Sequence, residues 1–298
     1  MKLNRAFTVA LLAISATWGC ANAQKIESAE GSKYVLTTGD VTMTVSAAEG
    51  GKVMSYKYKD QEMLSQLRMQ NQYGSTFWTS PQKEWNWPPV AEFDRLAYEV
   101  VSQDNSKLVL KSQVSQKLPF SITKTYVPDK KSIKITYSIK NEGTAARKVA
   151  PWAISRVISD ESGMIFFDAP VEQIEAAQGE LIPFKGFAGA SWYNFEGTRA
   201  NRKINSDGKG WLAYTAGGLL MVQKFADITP DQPAPGEAEI QVYVNSGKTY
   251  IELEAQGAYE ELQPGQSLEW AVTWYMTPLK LAAEPSKKLL KTVRKLIR

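Results

Sequence analysis

An all-β fold, a large antiparallel sandwich or barrel, is what this sequence predicts. Three observations carry it. Apolar and polar residues alternate along most of the chain, as in SIKITYSIK, where Ile133, Ile135, Tyr137 and Ile139 fall on one face. Turn residues punctuate these runs: Asn141-Glu142-Gly143, Ser206-Asp207-Gly208, Gly217-Gly218, Asn245-Ser246-Gly247 and Pro264-Gly265. Many short strands joined by such turns form a sandwich or barrel. Finally, 43% of the 298 residues are hydrophobic, enough for one large core.

Residues 1–23 read as a secretory signal. Lys2 and Arg5 supply the positive start, AFTVALLAISA the apolar run, and Ala21-Asn22-Ala23 the small-residue cleavage site. Cleavage after Ala23 would release the chain into the periplasm or the medium. A competing reading takes TWGC as a lipoprotein signal modified at Cys20, which Thr17 and Trp18 fit poorly.

A single β domain is then expected over residues 24–280. Its strands are KYVLTT, VTMTVSA, KLVLKSQ, FSITKTYV, SIKITYSIK, WLAYT, LLMVQKF, AEIQVYV, KTYIELEA and SLEWAVTWYM. Two segments break the pattern. Residues 170–208 mix Gly, Pro and aromatics without a period and read as long loops around GFAGASWYNFEG; residues 226–237 form a Pro-rich loop. In the tail, residues 281–298, Leu289, Leu290, Val293, Leu296 and Ile297 recur at helical spacing, with six cations on the remaining positions. Such a helix either rests on an anionic membrane surface or packs on the domain with its basic face in water. The second reading is preferred here.

The chain contains no histidine. That excludes Ser-His-Asp and Cys-His nucleophilic sites, imidazole metal ligands and the usual proton shuttle near neutral pH. Once Cys20 is removed with the signal, thiolate zinc and disulfides are excluded too, so no transition metal and no cofactor is expected. Acid–base chemistry must fall to Asp, Glu, Tyr, Lys or Arg. The formal charge of +4 comes from the two ends of the chain. Between them acids outnumber bases, and nothing resembles a nucleic-acid surface.

The segment GSTFWTSPQKEWNWPP, residues 74–89, concentrates Phe77, Trp78, Trp85 and Trp87 among three prolines. Pro81, Pro88 and Pro89 forbid a regular helix and demote any strand to an edge. A Pro-stiffened loop of aromatics interrupted by Gln82, Lys83 and Glu84 suits a pyranose, whose faces are apolar and whose rim is polar. The alternative is an aromatic plug closing one end of the sandwich. Trp78 and Gln82 are the expected contacts, with Trp85 and Trp87 assigned to structure.

Two further runs have a recognisable order. FSITKTYVPDKKSIKITYSIKNEGTAARKVAPWAIS, residues 120–155, resembles the middle of galactose mutarotase-like (aldose-1-epimerase-like) domains. YIELEAQGAYEELQPGQSLEWAVTWYM, residues 250–276, resembles their end, where a strand delivers a glutamate and a Pro-Gly turn leads to the last strand. The segment FWTSPQ…WNWPP resembles a secreted bacterial branch of that superfamily. The resemblance spans roughly residues 30–278 and implies a β-supersandwich whose concave face holds a sugar. It implies that Glu254 stands at the position of the catalytic base. The family's histidine acid has no counterpart: its neighbourhood reads APWAISR, with Trp152 nearest the matching position, and a second histidine is missing as well. A sugar site without ordinary mutarotase proton transfer is therefore the expectation, since ring opening needs an acid as well as a base.

Strand parity refines the candidates. Tyr250, Glu252 and Glu254 share a face opposite Ile251 and Leu253. Glu252 and Glu254 would lie roughly 7 Å apart, near the spacing of an inverting glycosidase pair. Trp152 and Arg156 likewise share a face, with Ser155 opposite; an Arg beside a Trp can bond sugar hydroxyls while the indole stacks on the ring. Trp192, in aperiodic GASWYNF, is claimed by no core period and is a loop candidate. Trp270 and Trp274 alternate in the last strand and read as core. The expected site is thus Trp78, Gln82, Trp152, Arg156 and Trp192 for a carbohydrate, with Glu254 as base. Two alternatives stay open: a glycosidase or lyase using Glu252 and Glu254, and an envelope assembly protein using the aromatic loop against a protein.

Overall fold

The computed structural model describes residues 24–68, 72–196 and 199–298. The signal segment, with its Cys20 alternative, lies outside the described residues. Alternating sequence becomes two large antiparallel sheets. In the first, the strands run Lys25–Ala29, Lys33–Thr38, Val41–Ser46, Lys52–Tyr58, Ser75–Ser80, Arg147–Val157, Ile251–Gln256, Ile240–Val244, Arg202–Ser206 and Glu175–Gln178. The second runs Lys185–Phe187, Ala190–Asn194, Met164–Phe167, Trp211–Ala216, Leu219–Lys224, Ser267–Pro278, Ser132–Asn141, Phe120–Asp129, Leu108–Lys111 and Glu99–Gln103.

Between the sheets lies the main core. Ile133, Ile135 and Tyr137 from the second sheet meet Phe77, Ala153 and Leu253 from the first in one apolar cluster, and Phe77 stacks on Tyr137 at 4.1 Å. Trp270 and Trp274 are buried in that cluster, as their alternation implied. The interior also holds a polar link: Gln223 Nε2 donates to Ser155 Oγ at 2.7 Å, joining the two sheets.

Two readings of the sequence are corrected here. The stretch 75–80 is not an irregular loop but a fully buried central strand, between Lys52–Tyr58 and Arg147–Val157. Its breakers begin only at Pro81, after the ladder ends, so they never interrupt pairing. Gly74 opens it at φ +62, and a Cβ there would sit 2.3 Å from the Val53 carbonyl oxygen. The stretch 170–208 contains four strands rather than long loops. Each is only three to five residues long, too short for a period-two signal to stand above its neighbours.

A second apolar cluster covers the outer face of the second sheet. Helix Lys287–Leu296 is capped by Ser286, whose Oγ accepts from Leu289 N at 3.2 Å. It sets Leu289, Leu290 and Val293 against Phe166, Trp192, Trp211, Leu220 and Val222. Its cations stay outside, and Arg294 pairs with Asp168 at 2.9 Å. Among the described residues no helix is long and apolar enough to cross a membrane.

Candidate functional site

Five neighbouring strands of the first sheet build a pocket on the face turned away from the core. Their register decides which side chains meet. Trp78 pairs with Trp152, Ile154 with Glu254 and Arg156 with Glu252. On the next strands Gln241 and Tyr243 lie opposite Glu254 and Glu252, and Lys203 lies opposite Tyr243. Because directly paired residues share a face, all of these project outward, while Phe77, Ser155, Leu253 and Ile204 project into the core. The resulting cavity is about 340 Å³ and is lined by Trp78, Gln82, Trp87, Trp152, Lys203 and Glu254, among others.

The indoles form a rigid wall. Trp78 meets Trp152 edge to face at 5.3 Å and Trp85 at 5.6 Å. Trp85 Nε1 is tied to the Thr79 carbonyl at 2.8 Å, and Trp78 Nε1 donates to Asp94 Oδ1 at 3.0 Å. Such edge-to-face packing fixes each ring beyond what burial alone would do. Trp85 is part of the support beneath the wall. Trp87 stands on the rim, 54% exposed and 6.2 Å from Trp78, so its expected structural assignment does not hold: it borders the cavity. Gln82 also lines the cavity, its backbone N–H held by Glu237 Oε1 at 3.1 Å.

Glu254 lies at the bottom, 1% exposed. Its Oε2 accepts from Trp152 Nε1 and from Lys203 Nζ, each at 2.9 Å. Its Oε1 has no partner among the described residues. Burial pushes its carboxyl up to about 7, against the pull of the Lys203 ammonium and with a further push from Glu252. Lys203 Nζ also sits 4.7 Å from the centre of the Trp152 ring. Chemically this is a carboxyl that can hold or release a proton near neutrality, with one free acceptor atom and a cation touching the other.

Arg156 is the second buried charge. Its Nε lies 2.9 Å from Glu252 Oε1, and its guanidinium carbon 5.6 Å from the Trp78 ring. Across the indole, Asp94 accepts from Thr76 Oγ1 and Trp78 Nε1, with Lys52 Nζ at 3.9 Å. Burial pushes the Asp94 carboxyl upward, but Lys52, the Trp78 hydrogen bond and Arg156 outweigh it and hold the group below the usual carboxylate range.

The predicted residues therefore divide. Trp78, Gln82, Trp152 and Glu254 line one cavity, with Arg156 on its flank. Trp192 does not join them. It lies under the C-terminal helix on the other side of the sandwich, stacked on Phe166 at 4.5 Å with Nε1 bonded to the Phe187 carbonyl. It looked unclaimed only because its core partner is a helix almost a hundred residues away. Lys203 and Trp87 are the main additions. Lys203 had a faint signal: it neighbours Ile204 in a short alternating run, yet a lone Lys in such a run reads as solvated.

A larger cavity, about 480 Å³, lies beside the first and is lined by Glu172, Glu175, Asp207, Glu237 and Glu239. Burial pushes Glu239 up to about 8, although its carboxylate accepts from Gly208 and Gly210 N–H groups. No aromatic side chain lines it, so it offers a sugar no stacking surface. Among the described residues no group of three or more acidic or thiol side chains is placed to hold a metal ion.

No family model matches the sequence, and no curated protein matches it. Solved structures do match the fold. A galactose mutarotase-like protein from Clostridium acetobutylicum superposes with a TM-score of 0.57 at 11% identity, covering 86% of this chain and 98% of that one. A putative aldose 1-epimerase from Escherichia coli K12 gives 0.55 at 14% identity, covering 83% and 99%. A galactose mutarotase-like protein from Lactobacillus casei gives 0.56 at 11%, covering 82% and 100%. The chain has the galactose mutarotase-like sandwich fold, as its sequence motifs implied.

Proposed function

We propose that this is an exported carbohydrate-binding or carbohydrate-processing protein, with its saccharide site in the Trp78–Trp152–Glu254 cavity. The observation that carries the reading is the free Oε1 of Glu254, a buried acceptor in a cavity walled by indoles. An unfilled buried acceptor costs free energy unless a ligand donor meets it. A sugar supplies both halves: hydroxyl donors for Glu254 and an apolar ring face for Trp78, Trp87 and Trp152.

If the site performs chemistry, Glu254 is its base, since a carboxyl held near 7 takes a hydroxyl proton more readily than an ordinary one. Lys203 is then the proton donor within reach of the reacting atoms, in the role that a histidine cannot fill here. Glu252 is committed to Arg156, which disfavours the paired-carboxylate glycosidase reading. The protein-docking alternative finds little surface: Trp78, Trp85 and Trp152 are buried, and Trp87 alone of the four is exposed.

The test is titration of the mature chain with a saccharide panel, followed by proton NMR of anomeric exchange. Glu254→Gln should weaken binding by about 1–2 kcal/mol in a pure binder. In a base-catalysed enzyme it should cut turnover about a hundredfold or more while binding persists. Unchanged binding and activity in Glu254→Gln would refute the assignment.

A further inference from the structure

Glu254 and Trp152 form the floor of the cavity, and Arg156 flanks it. Its side chain is 1% exposed, and Nη1 has no hydrogen-bond partner among the described residues. Its one ion pair among the described residues, with Glu252, is made through Nε, and even there the N–H is not aligned as a hydrogen bond. A guanidinium carries five donors in a planar fork, so burying it this incompletely satisfied is costly without a further acceptor.

The guanidinium borders a second, smaller cavity of about 180 Å³, lined also by Trp78, Trp87, Pro88, Asp94 and Arg95. The two cavities share Gln72, Trp78 and Trp87, so they meet along one indole wall. Asp94 already accepts from Trp78 and Thr76 and is ion-paired with Lys52. Arg95 is exposed and makes no ion pair among the described residues. With Glu252 paired to Arg156 and Lys52 to Asp94, three cations stand against two carboxylates, which leaves one positive charge in excess, carried by the unpaired Arg95 at the rim of the small cavity.

We propose that the saccharide carries a carboxylate, as a hexuronic acid does, and that Arg156 and Arg95 receive it. The proposal rests on the carbohydrate reading above and specifies its ligand. The register sets the scale: Arg156 faces Glu252, two residues from Glu254 on the paired strand. That diagonal is about 7–8 Å between backbone positions, comparable with the length of one hexuronate measured from its carboxylate to a hydroxyl across the ring. A hexuronate lying along Trp78 thus reaches Arg156 with its carboxylate and offers Glu254 a ring hydroxyl. A carboxylate is planar and matches the guanidinium fork; a single negative charge also balances the excess, whereas a phosphate dianion overshoots it beside Asp94.

The experiment is calorimetric titration of the mature chain with glucuronic and galacturonic acids, the matched neutral hexoses, and glucose 6-phosphate. At least one hexuronate should bind tenfold or more tightly than its neutral counterpart, with affinity falling as salt rises. Arg95→Gln, an exposed position, should reduce that preference severalfold. Arg156→Gln should abolish it; because that change strands Glu252, Arg156→Lys is measured beside it and should lose most of the preference while keeping the charge. Equal affinity for hexuronate and neutral hexose, tighter binding of the sugar phosphate, or a preference that survives Arg156→Lys overturns the proposal. If neutral hexoses bind and Glu254→Gln weakens them, the saccharide site stands and only the carboxylate is lost. If no sugar binds at all, both readings fall.

Discussion

Replacing Glu254 with Gln should change how stability depends on pH. In the unfolded chain this carboxyl titrates near 4.5, and in the folded chain burial raises it to about 7. Below 4.5 both states hold the proton. Between those values the folded state holds a proton that the unfolded state has released, so stability falls as pH rises. Each pH unit of that window is worth 1.36 kcal/mol, giving on the order of 3 kcal/mol lost between about pH 4.5 and 7. The amide of Glu254→Gln cannot titrate, so the variant loses this slope. Glu239, pushed up to about 8 by burial, contributes in the same direction in both proteins, so the difference between them is the quantity to read. Urea unfolding of both proteins from pH 4 to 8 measures it. The variant should gain on the wild type as pH rises, most steeply near pH 5–7. Parallel stability curves would refute the buried, proton-holding carboxyl, and with it the case for Glu254 as a base tuned to neutrality.

Other outcomes follow from the same contacts. Truncation after Glu284 removes Leu289, Leu290 and Val293 from the second cluster and uncovers Trp192 and Trp211. At about 1.5–3 kcal/mol for each buried aliphatic, several kcal/mol should be lost; a thermal melt that does not move would contradict the packing. Trp85→Ala should destabilise by about 3–5 kcal/mol, since the indole supports the wall from beneath. Trp87→Ala, at the rim, should move stability by no more than about 0.5 kcal/mol yet weaken saccharide binding. Comparable losses of stability in the two variants would erase the distinction between support and rim. Lys203→Met should leave Glu254 buried without its cation and push its carboxyl higher still, shifting any pH profile of binding or turnover to higher pH. An unshifted profile would show that Lys203 does not govern the carboxyl.

The sequence by itself determined the fold class, most strands, and which residues share a face. Parity along 147–157 and 251–256 is a local property: once the chain is extended, Trp152 must point with Arg156, and Glu252 with Glu254. It also ruled out imidazole chemistry outright. Tertiary structure alone decided which face is inside and what crosses from strand to strand. Trp78 became a wall of the cavity because its strand pairs with Arg147–Val157, although the prolines after it suggested an irregular loop. Lys203 reached Glu254 across an intervening strand, a contact between residues 51 apart that no local pattern encodes. Trp192 went the other way, because a helix almost a hundred residues later covers it. Alternation reports orientation relative to neighbours in the chain. Burial, partner and proton affinity depend on what lies across the sheet, and that is settled only when the sheets close on each other.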